Sequence, residues 1–115
     1  MAVVVALTFA AAHERQAFAE RMLPKMHVPQ APPMDDAEEA ADRTLRVEVG
    51  SAQAAKNVCR QCLAFLAHSK NGRVDVSWPG PDGNEQYGRV VAGSTRDADV
   101  LAIRLAAAVR AAEQR

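Results

Sequence analysis

The sequence predicts an α+β domain with the element order β-α-β-α-β-β-α. Two segments, 44–49 and 73–78, alternate apolar and polar residues with the period of a half-buried strand. Two longer segments, 51–70 and 96–113, place apolar residues at helical spacing instead. Helical crossovers favour parallel neighbours, whereas the hairpin turn at 79–84 joins antiparallel ones. We therefore expect a mixed four-stranded sheet packed with helices, in two layers or partly in three.

The amino-terminal segment 2–9 is predicted to be the first strand because it is rich in Val and apolar on both faces. A strand of this kind is typical of the centre of a sheet. Residues 10–23 are rich in Ala and place Phe18 and Met22 one turn apart, which indicates a helix. Pro24 is expected to end it.

A connector rich in Pro and acidic residues is predicted at 24–43. Four prolines exclude a regular helix from its first half, and an acidic run follows. Loops of about twenty residues are usually functional or disordered. The prolines are Pro24, Pro29, Pro32 and Pro33, and the acidic residues are Asp35, Asp36, Glu38, Glu39 and Asp42.

The central helix is predicted to begin after Gly50-Ser51, with Ser51 as its N-cap, and to run to about Lys70. Asn71-Gly72 provides a typical left-handed exit. The apolar residues of this helix form one stripe that should face the core: Ala55, Val58, Cys59, Cys62, Phe65 and Leu66.

The remaining elements are a hairpin and a terminal helix. Strands are predicted at 73–78, where Trp78 faces the core, and at 85–92. Ser94 and Asp97 have the spacing of a capping box at the start of the helix 96–113. We take residues 1–115 as a single domain, which is an ordinary size for one.

Composition excludes several classes of function. The chain has 14 basic and 14 acidic residues, so it lacks an overall field that would attract nucleic acid or an anionic membrane. Two cysteines are too few for a disulfide scaffold, and no apolar run is long enough to span a membrane. The first residues lack the basic region of a secretory signal. We expect a cytoplasmic protein for which nucleic acid is an unlikely partner.

Cys59 and Cys62 form a CxxC pair, the spacing of redox-active thiols. Such pairs lie at helix N-termini, whereas these cysteines lie about two turns inside the predicted helix and on its apolar stripe, which favours a core position. His68 follows Cys62, but no second pair of ligands completes a zinc site. We expect no catalytic residues, no cofactor and no metal. A small redox or thiol enzyme using the two cysteines remains an alternative.

The terminal helix carries two apolar stripes. Leu101, Leu105 and Val109 belong to the stripe that should pack on the sheet. The second stripe must be either sandwiched inside the fold or in contact with another chain. An open edge strand would be a second route of association. The candidate interface residues are Val100, Ile103, Arg104, Ala107 and Arg110.

Residues 45–110 resemble the effector-associated constant component family of bacteria. The resemblance rests on an apolar strand followed by Gly50-Ser51, an Ala-rich helix, an alternating strand, the turn 79–83 and a terminal Leu/Ala helix. It implies a non-enzymatic accessory component of bacterial conflict or signalling systems, encoded near or fused to effectors, with no catalytic residues.

We therefore expect an interaction or adaptor module whose partner is a protein, either a second copy or an effector. A small-ligand or nucleic-acid sensor that uses the polar face of the sheet is a further alternative. Arg46, Arg73 and Arg89 could share that face, although Glu48 and Asp75 would dilute their charge.

Overall fold

Four strands and four helices make up the computed structural model, which describes residues 2–31, 41–67, 72–80 and 82–114. The α+β class is confirmed, and the element order agrees with the predicted one apart from an additional short helix. The strands are β1 (Val3–Thr8), β2 (Thr44–Val49), β3 (Arg73–Pro79) and β4 (Glu85–Val91). The helices are α1 (Ala12–Arg21), α2 (Leu23–Met26), α3 (Ala52–Leu66) and α4 (Thr95–Glu113).

The sheet has the order β2-β1-β3-β4, and every neighbouring pair is antiparallel. The expectation of a mixed sheet with parallel neighbours is therefore wrong. β1 lies between two strands, as its apolar sequence predicted, but it is not covered on both sides, since Val4 is exposed.

The connector explains why β1 and β2 are antiparallel. After α1 and α2, residues 29–31 run antiparallel to β2 along its outer edge, where Ala31 N–H donates to Arg46 O at 2.8 Å. A 3₁₀ turn at Ala41–Arg43 then starts β2 beside the end of β1, where Phe9 N–H donates to Arg43 O. Residues 29–31 run antiparallel to β2 and therefore parallel to β1. The chain thus passes along the length of the sheet twice before β2, first through α1 and α2 and then back through residues 29–31. β2 therefore runs opposite to β1.

The helix α3 connects two parallel strands, as predicted, but these strands are not neighbours in the sheet. β2 and β3 are each antiparallel to β1, so they run parallel to each other. β1 lies between them and separates the parallel pair. The sequence indicates that the strands before and after a helix are parallel, but it does not show that a third strand, here β1, lies between them.

One face of the sheet carries the core. Val5, Leu7, Val47, Val74 and Val76 on this face are all buried beneath the helices. At one end of the core, Phe9, Phe18 and Phe65 form a ring cluster with centroids 5.0 to 5.8 Å apart. The opposite face of the sheet has no helix packed on it among the described residues and carries mostly polar side chains, with Val4, Tyr87 and Val91 also exposed, so the described fold is essentially a two-layer structure.

Serine caps begin α3 and α4, at the predicted residues. Ser51 Oγ accepts from Ala54 N–H at 3.1 Å, and Ser94 Oγ accepts from Asp97 N–H at 3.2 Å. Pro24 occupies the first turn of α2 rather than simply ending α1, because an N-terminal proline needs no N–H partner there. The acidic residues 35–39 and the predicted helix exit at Asn71 lie outside the described residues.

Candidate functional site: the α4 flank and the free edge of β4

The residues predicted to contact a partner lie on one exposed surface, which we call the α4 flank. All five are exposed; Val100 retains 48% and Ile103 retains 68% of its accessible surface. The core side of the same helix is buried, as Leu101 and Leu105 show. The flank consists of Val100, Ile103, Arg104, Ala107 and Arg110. The second stripe is therefore not sandwiched inside the described fold.

Arg104 joins the α4 flank to the core. Its guanidinium lies over the Trp78 ring, 4.8 Å from the ring centroid. Trp78 itself is buried, with 3% of its surface exposed, which confirms the predicted core position. The stacking fixes the orientation of a long charged side chain at the boundary between α4 and the sheet.

Gly88 brings α4 close to β4. A Cβ added at this glycine would lie 2.5 Å from Leu101 Cδ1 and 3.6 Å from the Trp78 ring. A larger residue at this inward-facing position would force the Leu101 side chain, or the helix that carries it, to shift. Beside this contact, a shallow groove of about 290 Å³ separates the two elements, and its lining includes Arg89, Arg96, Val100 and Arg104.

The outer edge of β4 offers backbone groups without a partner strand among the described residues. In the antiparallel β3–β4 pair, Gly80 N–H donates to Asn84 O and Ala92 N–H donates to Gly72 O. These two bonds fix the alternation, so the even-numbered residues of β4 pair with β3 and the odd-numbered ones face outwards. Glu85, Tyr87 and Arg89 therefore direct their N–H and C=O groups to the free edge.

The other edge of the sheet is protected. Residues 29–31 pair with β2, where Glu48 N–H donates to Pro29 O at 2.8 Å, in addition to the Ala31–Arg46 bond. Folded proteins commonly cover or charge an edge strand to prevent association. Within the described residues this sheet covers the β2 edge and leaves the β4 edge open, next to the α4 flank.

The polar face of the sheet does not form a basic platform. Asp75 lies between two arginines, 2.7 Å from Arg89 Nε and 4.0 Å from Arg73 Nε, so its carboxylate offsets part of their charge. An open depression of about 560 Å³ on this face is lined by Thr8, Ser77 and Tyr87 among others. Tyr87 is the single aromatic side chain on this face, whereas single-stranded nucleic acid is usually held by several.

Cys59 and Cys62 are buried and unbonded to each other. Burial raises the pKa of the Cys59 thiol to about 12, and the charge of Asp99 adds to the shift. Burial also raises the pKa of Cys62, with a further contribution from Cys59. A redox-active thiol requires the opposite environment, one that is exposed and lowers the thiol pKa.

Among the described residues, no group of three or more His, Cys, Asp or Glu side chains could hold a metal ion. No helix in the described part of the chain is long and apolar enough to cross a membrane. Comparisons with protein-family models, with curated proteins and with solved structures find no match. The local geometry therefore carries the argument for function.

Sequence reasoning found the α4 flank but did not identify β4 as the free edge. The helix periodicity directly shows which residues point away from the core, because a second apolar stripe is visible in one segment. The order of the strands depends on contacts between distant segments. One local signal was available: Gly88 interrupts the inward-facing positions of β4, which is typical of a close approach by another backbone.

Proposed function

We propose that this chain is a non-enzymatic protein-interaction module whose contact surface is the α4 flank together with the free edge of β4. The observation that carries the proposal is the exposure of Val100 and Ile103 beside an edge strand that no other described strand pairs with. Apolar side chains of this size on one patch, bordered by arginines, have the composition of a protein interface.

The burial of the cysteines supports a non-enzymatic role. Both thiols stay protonated at neutral pH, so neither is available as a nucleophile or for disulfide exchange in the folded state. A role as an adaptor or accessory component of a bacterial effector or defence system remains a proposal based on the family resemblance of residues 45–110. Genes for an effector next to this one in the genome would support that role.

Site-specific photocrosslinking tests the contact surface. A photoreactive amino acid replaces Ile103 on the α4 flank, and the matched control replaces Lys56, which is exposed on α3. In cells that naturally contain the protein, we expect covalent protein adducts from position 103 and few from position 56. Mass spectrometry of the adducts distinguishes a second copy from another chain. Equal labelling at the two positions, or no adduct at 103, would contradict the proposal.

A further inference from the structure

We propose, building on the interaction function above, that the partner at this surface is a second copy of the chain. The two β4 edges pair antiparallel about a two-fold axis at Tyr87, which joins two four-stranded sheets into one of eight strands. A two-fold interface requires a surface that is complementary to itself. The free edge of β4 satisfies this requirement in its backbone and in its charges.

The backbone requirement concerns which groups face outwards. Glu85, Tyr87 and Arg89 all direct N–H and C=O groups to the edge, as the pairing of β4 with β3 dictates. With the axis at Tyr87, outward residues lie opposite outward residues. Each such pair can then exchange two backbone hydrogen bonds, as in any antiparallel ladder.

The charge requirement selects the register. With Tyr87 opposite Tyr87 of the second copy, Glu85 lies opposite Arg89 of the second copy, and the symmetry produces this pair twice. Opposite charges directly across two strands stabilise a sheet, and like charges destabilise it. A shift of the axis by one residue in either direction removes Glu85 from its place opposite Arg89. In the register centred on Tyr87, Arg89 lies between Asp75 of its own chain and Glu85 of the second copy.

The side chains around the axis also fit an interface. Tyr87 is 69% exposed, although it is aromatic, and it would meet its own copy at the axis. Aromatic residues are enriched at the centres of protein interfaces. The α4 flank lies at the same edge of the sheet, on its helix-covered face, since Val100 and Arg104 border the groove beside Gly88 and Arg89. The two-fold axis therefore places the flanks of the two copies towards each other.

Charge reversal tests the register. In Glu85→Arg, two arginines face each other across the axis; in Arg89→Glu, two glutamates do. We expect the wild-type protein to be a dimer by sedimentation equilibrium, and the dissociation constant of each single variant to rise at least about tenfold. When the two variants are mixed, every opposing pair becomes complementary again. The mixture should form a heterodimer about as stable as the wild-type dimer.

Two controls keep the result interpretable. Asp75→Asn removes the pair that Arg89 makes within its own chain and leaves the pairs across the axis unchanged, so it should still dimerise. Circular dichroism establishes that each variant is folded. If Arg89→Glu does not fold, Glu85→Arg alone decides the outcome. Glu85 is exposed and is not part of the Arg89–Asp75 pair, so a weaker dimer in Glu85→Arg cannot result from the loss of that pair.

Two results would overturn the proposed dimer. The first is a wild-type protein that stays monomeric up to near-millimolar concentration. The second is a dimer that the charge reversals do not weaken. Neither result decides the proposed interaction function, because crosslinking from Ile103 to a different protein would still support a contact surface with another occupant. Absence of any adduct at Ile103 would contradict the interaction function itself.

Discussion

Trp78 lies buried at the contact between α4 and the sheet. It is the largest side chain of the core, and it supports the guanidinium of Arg104 on one face of its ring. We expect Trp78→Ala to lower the free energy of unfolding by about 3–5 kcal/mol, because it leaves a cavity in the core.

Urea unfolding of the two variants Trp78→Ala and Arg104→Ala checks this expectation. Arg104→Ala removes the cation and leaves the ring in place, so it should cost about 1 kcal/mol or less. A loss below about 1 kcal/mol in Trp78→Ala would mean that the ring does not carry the packing shown here.

Gly88 is the second residue that fixes the position of α4. We expect Gly88→Ala to lower the free energy of unfolding by about 1–3 kcal/mol, because its Cβ would overlap the buried Leu101 side chain. Gly50→Ala is the matched control, since a Cβ there meets only the Ala2 Cβ at 4.0 Å. Equal thermal stability of the two variants would contradict the close approach of α4 to β4.

The two buried cysteines make stability depend on pH in the alkaline range. In the unfolded chain a thiol ionises near its ordinary pKa of 9.0, whereas folded Cys59 keeps its proton up to about pH 12. The unfolded state therefore loses protons first, and the stabilisation present below pH 9 is lost as the pH rises from 9 towards 12. Each thiol should contribute a loss of about 1.4 kcal/mol between pH 8 and pH 10.

The measurement for this prediction is urea unfolding of the wild-type protein and of the double variant Cys59→Ala, Cys62→Ala at both pH values. The variant should be less stable throughout but lose less stability with rising pH. Other groups titrate equally in the two proteins, so the difference isolates the thiols. Parallel pH profiles would show that the thiols are not buried in their protonated form.

At the scale of the elements, the sequence predicts where a helix or strand begins when that boundary depends on residues close together in the chain. Ser51 and Ser94 cap the helices at the predicted residues, and β2 spans the predicted 44–49. These signals are local, since a cap bonds to an N–H three residues away. The direction of β2 was not predictable in the same way, because it depends on the pairing of residues 29–31 with β2, where Gln30 lies opposite Val47, 17 positions further along the chain.

In the candidate site, too, the part that depends on local sequence was predictable and the part that depends on distant contacts was not. The α4 flank follows from the periodicity of one helix, so Val100 and Ile103 could be identified before the fold was known. The free edge of β4 follows from the strand order, which depends on contacts between distant segments. The sequence alone therefore does not indicate that Glu85 and Tyr87 lie on an edge strand; their position there follows from the strand order.

The serine caps give a prediction at this scale. Ser51→Ala and Ser94→Ala each remove an oxygen that accepts from a helix N–H, and each should cost about 0.5–2 kcal/mol in the free energy of unfolding. Thermal or urea unfolding measures the loss. Replacement by Asp, which can also cap, should restore most of the stability. Failure of Asp to restore it would assign the serines another role.

At the scale of the whole molecule, the sheet is asymmetric. In the part of the chain that the structure describes, residues 29–31 cover the β2 edge, while the β4 edge lies open beside an apolar helix flank. An exposed edge next to an apolar surface favours association with another chain. The charges on β4 make this association selective, because only one register places Glu85 opposite Arg89 of a second copy.

Amide hydrogen exchange of β4 at several protein concentrations tests this account most directly. In a monomer, the N–H groups of Tyr87 and Arg89 face solvent, while those of Gly88 and Val90 pair with β3 and serve as internal controls. We predict that exchange at Tyr87 and Arg89 slows as the concentration rises, while the protection of Gly88 and Val90 changes little. Fast exchange at Tyr87 and Arg89 at every concentration would contradict pairing of the β4 edges.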